Sequence, residues 1–146
     1  MRISKEIGGE NNINNKLLEW PSDEYLNGLS KEDFENLKLT SVCWIRGSHF
    51  GPSQDYCHAF QFKNNLNEWS PPYTSKTETM DSLEFGESRI AKVSCKTNGH
   101  HVYGFKFYDD FDKKIGQIFS NYDKAPGKQH HVTIGLDETL IGFAVR

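Results

Sequence analysis

The chain has 146 residues, 17 Lys and Arg against 20 Asp and Glu, and a formal net charge of −3 at pH 7. Acids and bases are interspersed, so no basic stripe exists to follow a phosphate backbone, which argues against nucleic-acid binding. No apolar run approaches the roughly 20 residues that span a bilayer, and Met1–Gly8 lacks the apolar stretch of a secretory signal.

Hydrophobic residues make up 36% of the chain and mean hydropathy is −0.70, so the core is thin. Ten Phe, six Tyr and three Trp supply large apolar area per residue and suit sheets better than a helical bundle. The length fits one domain with an appended segment: an N-terminal extension over 1–37 and a β domain over 38–146. Cys43, Cys57 and Cys95 are odd in number and lack metal-ligand spacing. That pattern predicts a reducing, cytoplasmic setting.

In chain order, Gly8-Gly9 and the Asn-rich run 11–15 come first. Ser22 before Asp-Glu-Tyr-Leu, and Ser30 before Lys31–Leu37, then read as helix N-caps with acids in the first turn. Leu17, Leu18, Trp20, Tyr25, Leu26, Leu29 and Phe34 are too many apolar residues for a solvated tail. Either the β domain or another protein must cover them.

From Lys38 the apolar period changes to two. Val42/Trp44, Phe60/Phe62, Leu83/Phe85, Val93/Cys95, Phe105/Phe107, Ile115/Ile118, Val132/Ile134 and Phe143/Val145 mark about eight to ten strands. Turn signals separate them, among them Asn64-Asn65, Gly86, Asp109-Asp110, Ala125-Pro-Gly127 and Gly135. No helical pattern intervenes, so the strands are expected to pair antiparallel. The strand set also repeats: Leu39–Val42, Ala59–Phe62 and Leu83–Phe85 are answered by Ile90–Val93, Gly104–Phe107 and Val132–Ile134, at offsets of 51, 45 and 49. A third copy starts at Leu140–Phe143 and runs only to Arg146. Such self-similarity belongs to architectures whose units bury their apolar faces only against each other.

The order I-x-x-V, G-F-x-F, V-x-I resembles the jacalin-like (β-prism I) family, on Leu83–Ser94, Val102–Phe107, Val132–Ile134 and Leu140–Phe143. The resemblance covers Leu39 to Arg146 and implies three Greek-key sheets around a pseudo-threefold axis, an all-β fold. It leaves the third unit incomplete, completed by the N-terminal segment, or completed by a partner chain. Family members that bind sugars carry a G-x-x-x-D loop near the carboxyl end, and none follows Phe143 here. Gly51-Pro-Ser-Gln-Asp55 has that spacing in the first unit, and Tyr56 offers a ring to stack on a sugar. Counting back from Ala59 in the family register, the aspartate position falls on Tyr56, and a plain Gly-Pro turn accounts for the same residues.

Other constellations have simpler readings. Adjacent strand residues point to opposite faces, so neither His100-His101 nor His130-His131 chelates a metal as a pair. Cys57-His58 is poor geometry for a nucleophile and its base. Asp109-Asp110-Phe-Asp112 lacks calcium-loop spacing and fits a hairpin turn. No catalytic constellation, cofactor motif or metal set is recognised, so the chain is read as a non-enzymatic binding or scaffold module. Its expected partners are other protein chains, met through Trp20, Tyr25, Leu26 and an open sheet edge. The alternative is a lectin of the jacalin-like type, binding a monosaccharide at Gly51, Asp55 and Tyr56.

Overall fold

The computed structural model describes residues 18–47, 56–71, 81–98, 102–118 and 122–145, with side chains left out at 18, 45–47, 56–59 and 145. Within them the fold is all-β and antiparallel, with two short helices near the amino end. Strand β1 (Leu18–Trp20) leads into α1 (Asp23–Asn27) and α2 (Lys31–Glu35). Both expected caps form: Ser22 Oγ accepts from the Tyr25 N–H and Ser30 Oγ from the Asp33 N–H, each at 3.1 Å. Each satisfies an N–H that the first helical turn leaves unpaired.

β2 (Leu39–Gly47) lies between β3 (Tyr56–Asn64) and β4 (Asp81–Glu84). β5 (Lys92–Thr97) lies between β6 (Val102–Tyr108) and β8 (Lys128–Thr133), with β7 (Lys114–Ile118) outside β6. The sequence repeat is reproduced as hydrogen-bond register. Val42 pairs with Phe62 on one side and Leu83 on the other, and Val93 pairs with Phe107 and Val132. The Phe85 N–H donates to the Thr40 carbonyl at 3.0 Å, and the Ile134 N–H to the Ala91 carbonyl at 2.8 Å. Even the turns match. Asn64 Oδ1 accepts from the N–H groups of Leu66 and Glu68, and Asp109 Oδ1 from those of Phe111 and Lys113. Asn67 and Asp112 occupy the same left-handed position, at φ 62° and 59°.

The third copy departs from its expected extent. Ordered strand starts at Phe143, in β9 (Phe143–Val145), rather than at Leu140, and β9 pairs with β1 through Trp20↔Phe143 and Leu18↔Val145. The N-terminal segment therefore supplies a strand to the third unit. Three sheets result among the described residues, of two, three and four strands. They meet on aromatic rings: Phe143 lies 5.2 Å from Phe60 and 5.0 Å from Phe62, while Phe60 reaches Phe105 at 5.5 Å and Phe62 reaches Phe107 at 6.4 Å. Trp20 joins this core against Phe143. Trp20, from the expected N-terminal extension, thus shares the packing of the β domain.

Gly142 makes that joint possible, because a Cβ there would run into the Trp20 carbonyl and come within 2.5 Å of the Pro21 ring. Backbone cannot yield as a side-chain end can. Gly142→Ala is therefore expected to destabilise by about 1–3 kcal/mol through overpacking. Gly86→Ala has open space around it and meets only the left-handed backbone, at φ 65°, for a loss nearer about 1 kcal/mol. Urea unfolding of the two variants tests the order.

Candidate functional site

Three segments converge at one end of the four-stranded sheet: the 109–113 turn that joins β6 to β7, the 134–138 turn after β8, and Arg89 before β5. Arg89 joins them. Its guanidinium donates to Asp110 Oδ1 at 2.7 Å, to the Glu138 carbonyl at 3.0 Å, to the Ile134 carbonyl at 3.3 Å, and closely to the Gly135 carbonyl. The planar guanidinium presents its N–H groups in fixed directions, to a carboxylate from one terminal nitrogen and to carbonyls from the other. Lys92 adds a second tie, from its Nζ to Asp112 at 2.5 Å, while lying 4.3 Å above the Tyr108 ring. The acidic turn is thereby fully committed: Asp109 caps its own backbone, Asp110 meets Arg89, and Asp112 meets Lys92.

Two large apolar side chains ride on these fixed turns. Phe111 is 91% exposed and Leu136 is 90% exposed. The turns that carry them are anchored by the bonds just named. This pair was missed in the sequence, although an apolar residue enclosed by turn formers, as in Asp109-Asp-Phe-Asp112 and Gly135-Leu-Asp137, was the available signal.

The residues expected to meet a partner lie elsewhere. Trp20 and Leu26 are buried, at 8% and 6% exposure, so this chain covers them itself. Tyr25 is half-buried, and its hydroxyl accepts from Asn64 Nδ2 at 3.5 Å. Asn65 completes that tie, its Oδ1 accepting from the Lys38 N–H and its Nδ2 donating to the Asn36 carbonyl, both at 3.0 Å. The cover for the helical segment thus comes from the first repeat's turn. Of the expected sugar loop, Gly51 and Asp55 lie outside the described residues. Tyr56 opens β3 opposite Gly47, with its side chain not described.

Reactive groups elsewhere are closed off. Ser94 Oγ lies 2.7 Å from His131 Nδ1, but Ser94 is completely buried and so gives a substrate no approach to its oxygen. His130 sits opposite Cys95 on the other face of β8, whereas His100 and His101 are outside the described residues. Among the described residues no three His, Cys, Asp or Glu side chains gather as metal ligands, and no helix is long and apolar enough to cross a membrane. Tyr122 is buried under Lys96 and Lys106, and its hydroxyl finds no partner among the described residues. Burial pushes its phenol well above the usual range. Burial also raises the Cys95 thiol from 9.0 to about 12, the wrong direction for a nucleophile.

No protein-family model matches this sequence and no curated protein matches it significantly. A solved structure described as the crystal structure of PirB is similar to it, with a TM-score of 0.51 and 11% identity over 88% of this chain. The chain spans 36% of the PirB chain. At that identity the likeness shows the fold alone.

Two outcomes are expected. Arg89→Met should cost about 2–4 kcal/mol by leaving buried carbonyls without their charged donor, read by thermal or urea unfolding. Iodoacetamide should leave Cys95 unmodified at pH 8 until the protein unfolds, as read by peptide mass spectrometry. The same thiol links stability to pH: its contribution is complete below pH 9, where it is neutral in both states. That contribution is lost as pH rises toward about 12, because only the unfolded thiol ionises in that window. Cys95→Ala should flatten this alkaline decline.

Proposed function

We propose that this chain is a non-catalytic recognition module, a rigid β scaffold that docks another protein through Phe111 and Leu136. The observation that carries it is the near-complete exposure of these two side chains on turns fixed by Arg89, Asp109 and Lys92. Exposed apolar residues scattered singly are common, but two on anchored turns that one arginine ties to the same sheet end form a preorganised contact. Burying each at an interface is worth about 1.5–3 kcal/mol.

The matching registers of β2 and β5 and the pairing of β1 with β9 support a prism-like arrangement and the jacalin-like resemblance. Free, buried Cys43 and Cys95 fit an intracellular setting. The sugar loop of Gly51, Asp55 and Tyr56 lies outside the described side chains, and the exposure of Phe111 and Leu136 favours protein docking.

The test is affinity capture with the tagged chain, comparing wild type with Phe111→Ser/Leu136→Ser. The double variant should keep its melting temperature and lose a stoichiometric protein partner, with affinity lowered about 10²–10⁴-fold. A partner retained at full strength by that variant, or a glycan displacing it, would overturn the assignment.

A further inference from the structure

A cleft of about 590 Å³ opens beside the 134–138 turn, between the N-terminal segment and residues 139–144. Leu136 immediately precedes the lining residue Asp137 in the chain. The inner wall is apolar, with Trp20, Leu140 and Phe143, and the half-exposed ring of Phe34 continues it outward. Around that wall stand Glu19, Glu35, Asp137 and Glu138, and among the described residues no lysine, arginine or histidine lines the cleft.

This imbalance is local. On the neighbouring sheet Asp110, Asp112 and Asp123 each meet a cation, from Arg89, Lys92 and Lys106. At the cleft, Glu35 has only Lys31 at 3.9 Å, an exposed pair worth little. Glu138 Oε1 accepts from the Gly135 N–H. Glu19 and Asp137 make no ion pair among the described residues.

We infer that this cleft receives an extended segment of the docking partner that carries a lysine or arginine beside an apolar residue. The inference rests on the recognition function proposed above and names the chemistry of the partner. The apolar side chain meets Trp20, Leu140 and Phe143, and the cation meets Glu19 and Asp137. An anionic ligand, whether nucleotide, phosphopeptide or acidic peptide, would be repelled by the same carboxylates. A neutral sugar would leave their charges uncompensated. An apolar small molecule would use the wall and not the rim. Complementary charge of this kind governs approach rate and selectivity more than affinity, so binding should weaken steeply with salt.

The probe is a fluorescein-labelled hexapeptide of alternating leucine and lysine, followed by anisotropy, with leucine–glutamate and serine–lysine hexapeptides as comparisons. The leucine–lysine peptide should bind, and raising salt from about 50 to about 300 mM should weaken it several-fold. Glu19→Gln/Asp137→Asn should weaken it at least about fivefold without changing the melting temperature, as expected for exposed charges. Thr139→Trp, which fills the cleft and leaves its charges in place, should also reduce binding. Equal binding of the leucine–glutamate or serine–lysine peptide, indifference to both variants, or no binding at about 1 mM would overturn the assignment. If Phe111→Ser/Leu136→Ser loses the captured partner while Glu19→Gln/Asp137→Asn keeps it, the recognition function stands and the cleft assignment falls. If both variants keep it, both fall.

Discussion

Everything in this fold depends on a set of aromatic rings where the three sheets meet. Phe60 and Phe62 come from β3, Phe105 and Phe107 from β6, and Phe143 from β9, with ring centroids 5.0–6.4 Å apart where they touch across sheets. Edge-on and tilted ring pairs contribute about 0.5–1.5 kcal/mol each beyond the area they bury. A chain with a hydrophobic content of only 36% needs its apolar area concentrated, and rings on equivalent strands achieve that. Phe143 brings in a third sheet of few strands, and Trp20 closes over it from the amino end.

That closure decides which surface is left for function. Because Trp20 and Leu26 are buried, the amino end contributes cover, and both of these apolar groups are spent there. Asn64 and Asn65 hold the helical segment in place through hydrogen bonds to Tyr25, Asn36 and Lys38. Among the described residues, the equivalent turn of the second repeat has no such segment upon it, and there Phe111 projects into solvent where Leu66 is half-buried. One turn geometry thus serves two purposes: in the first copy it packs on the chain's own helices, and in the second it presents a side chain outward. Arg89 makes the second arrangement rigid by holding the 134–138 turn to the same end.

Much of this was legible in the residues. The alternation of apolar positions gave the strands, the offsets between copies gave equivalent registers, and Ser22 and Ser30 marked helix starts that the structure contains. The Asn64 and Asp109 turns were visible as turn formers, since a short side-chain acceptor can bond backbone N–H groups two and four residues ahead. The site was far less legible. Exposure of Phe111 and Leu136 cannot be read from hydrophobicity, which favours their burial, and the role of Arg89 depends on carbonyls 45 to 49 residues away.

By itself, then, the sequence determined local matters: strand periodicity, caps, turns and the existence of repeats, because each follows from interactions within a few residues. Tertiary structure alone decided that β1 would lie against β9, that Trp20 would face inward, and that two turns with exposed apolar tips would be tied to one guanidinium. Those outcomes follow from which apolar surfaces cover one another once the sheets converge, and from one guanidinium reaching acceptors far away in the chain. Local patterns set which faces are apolar, and only three-dimensional packing chooses which of them meet.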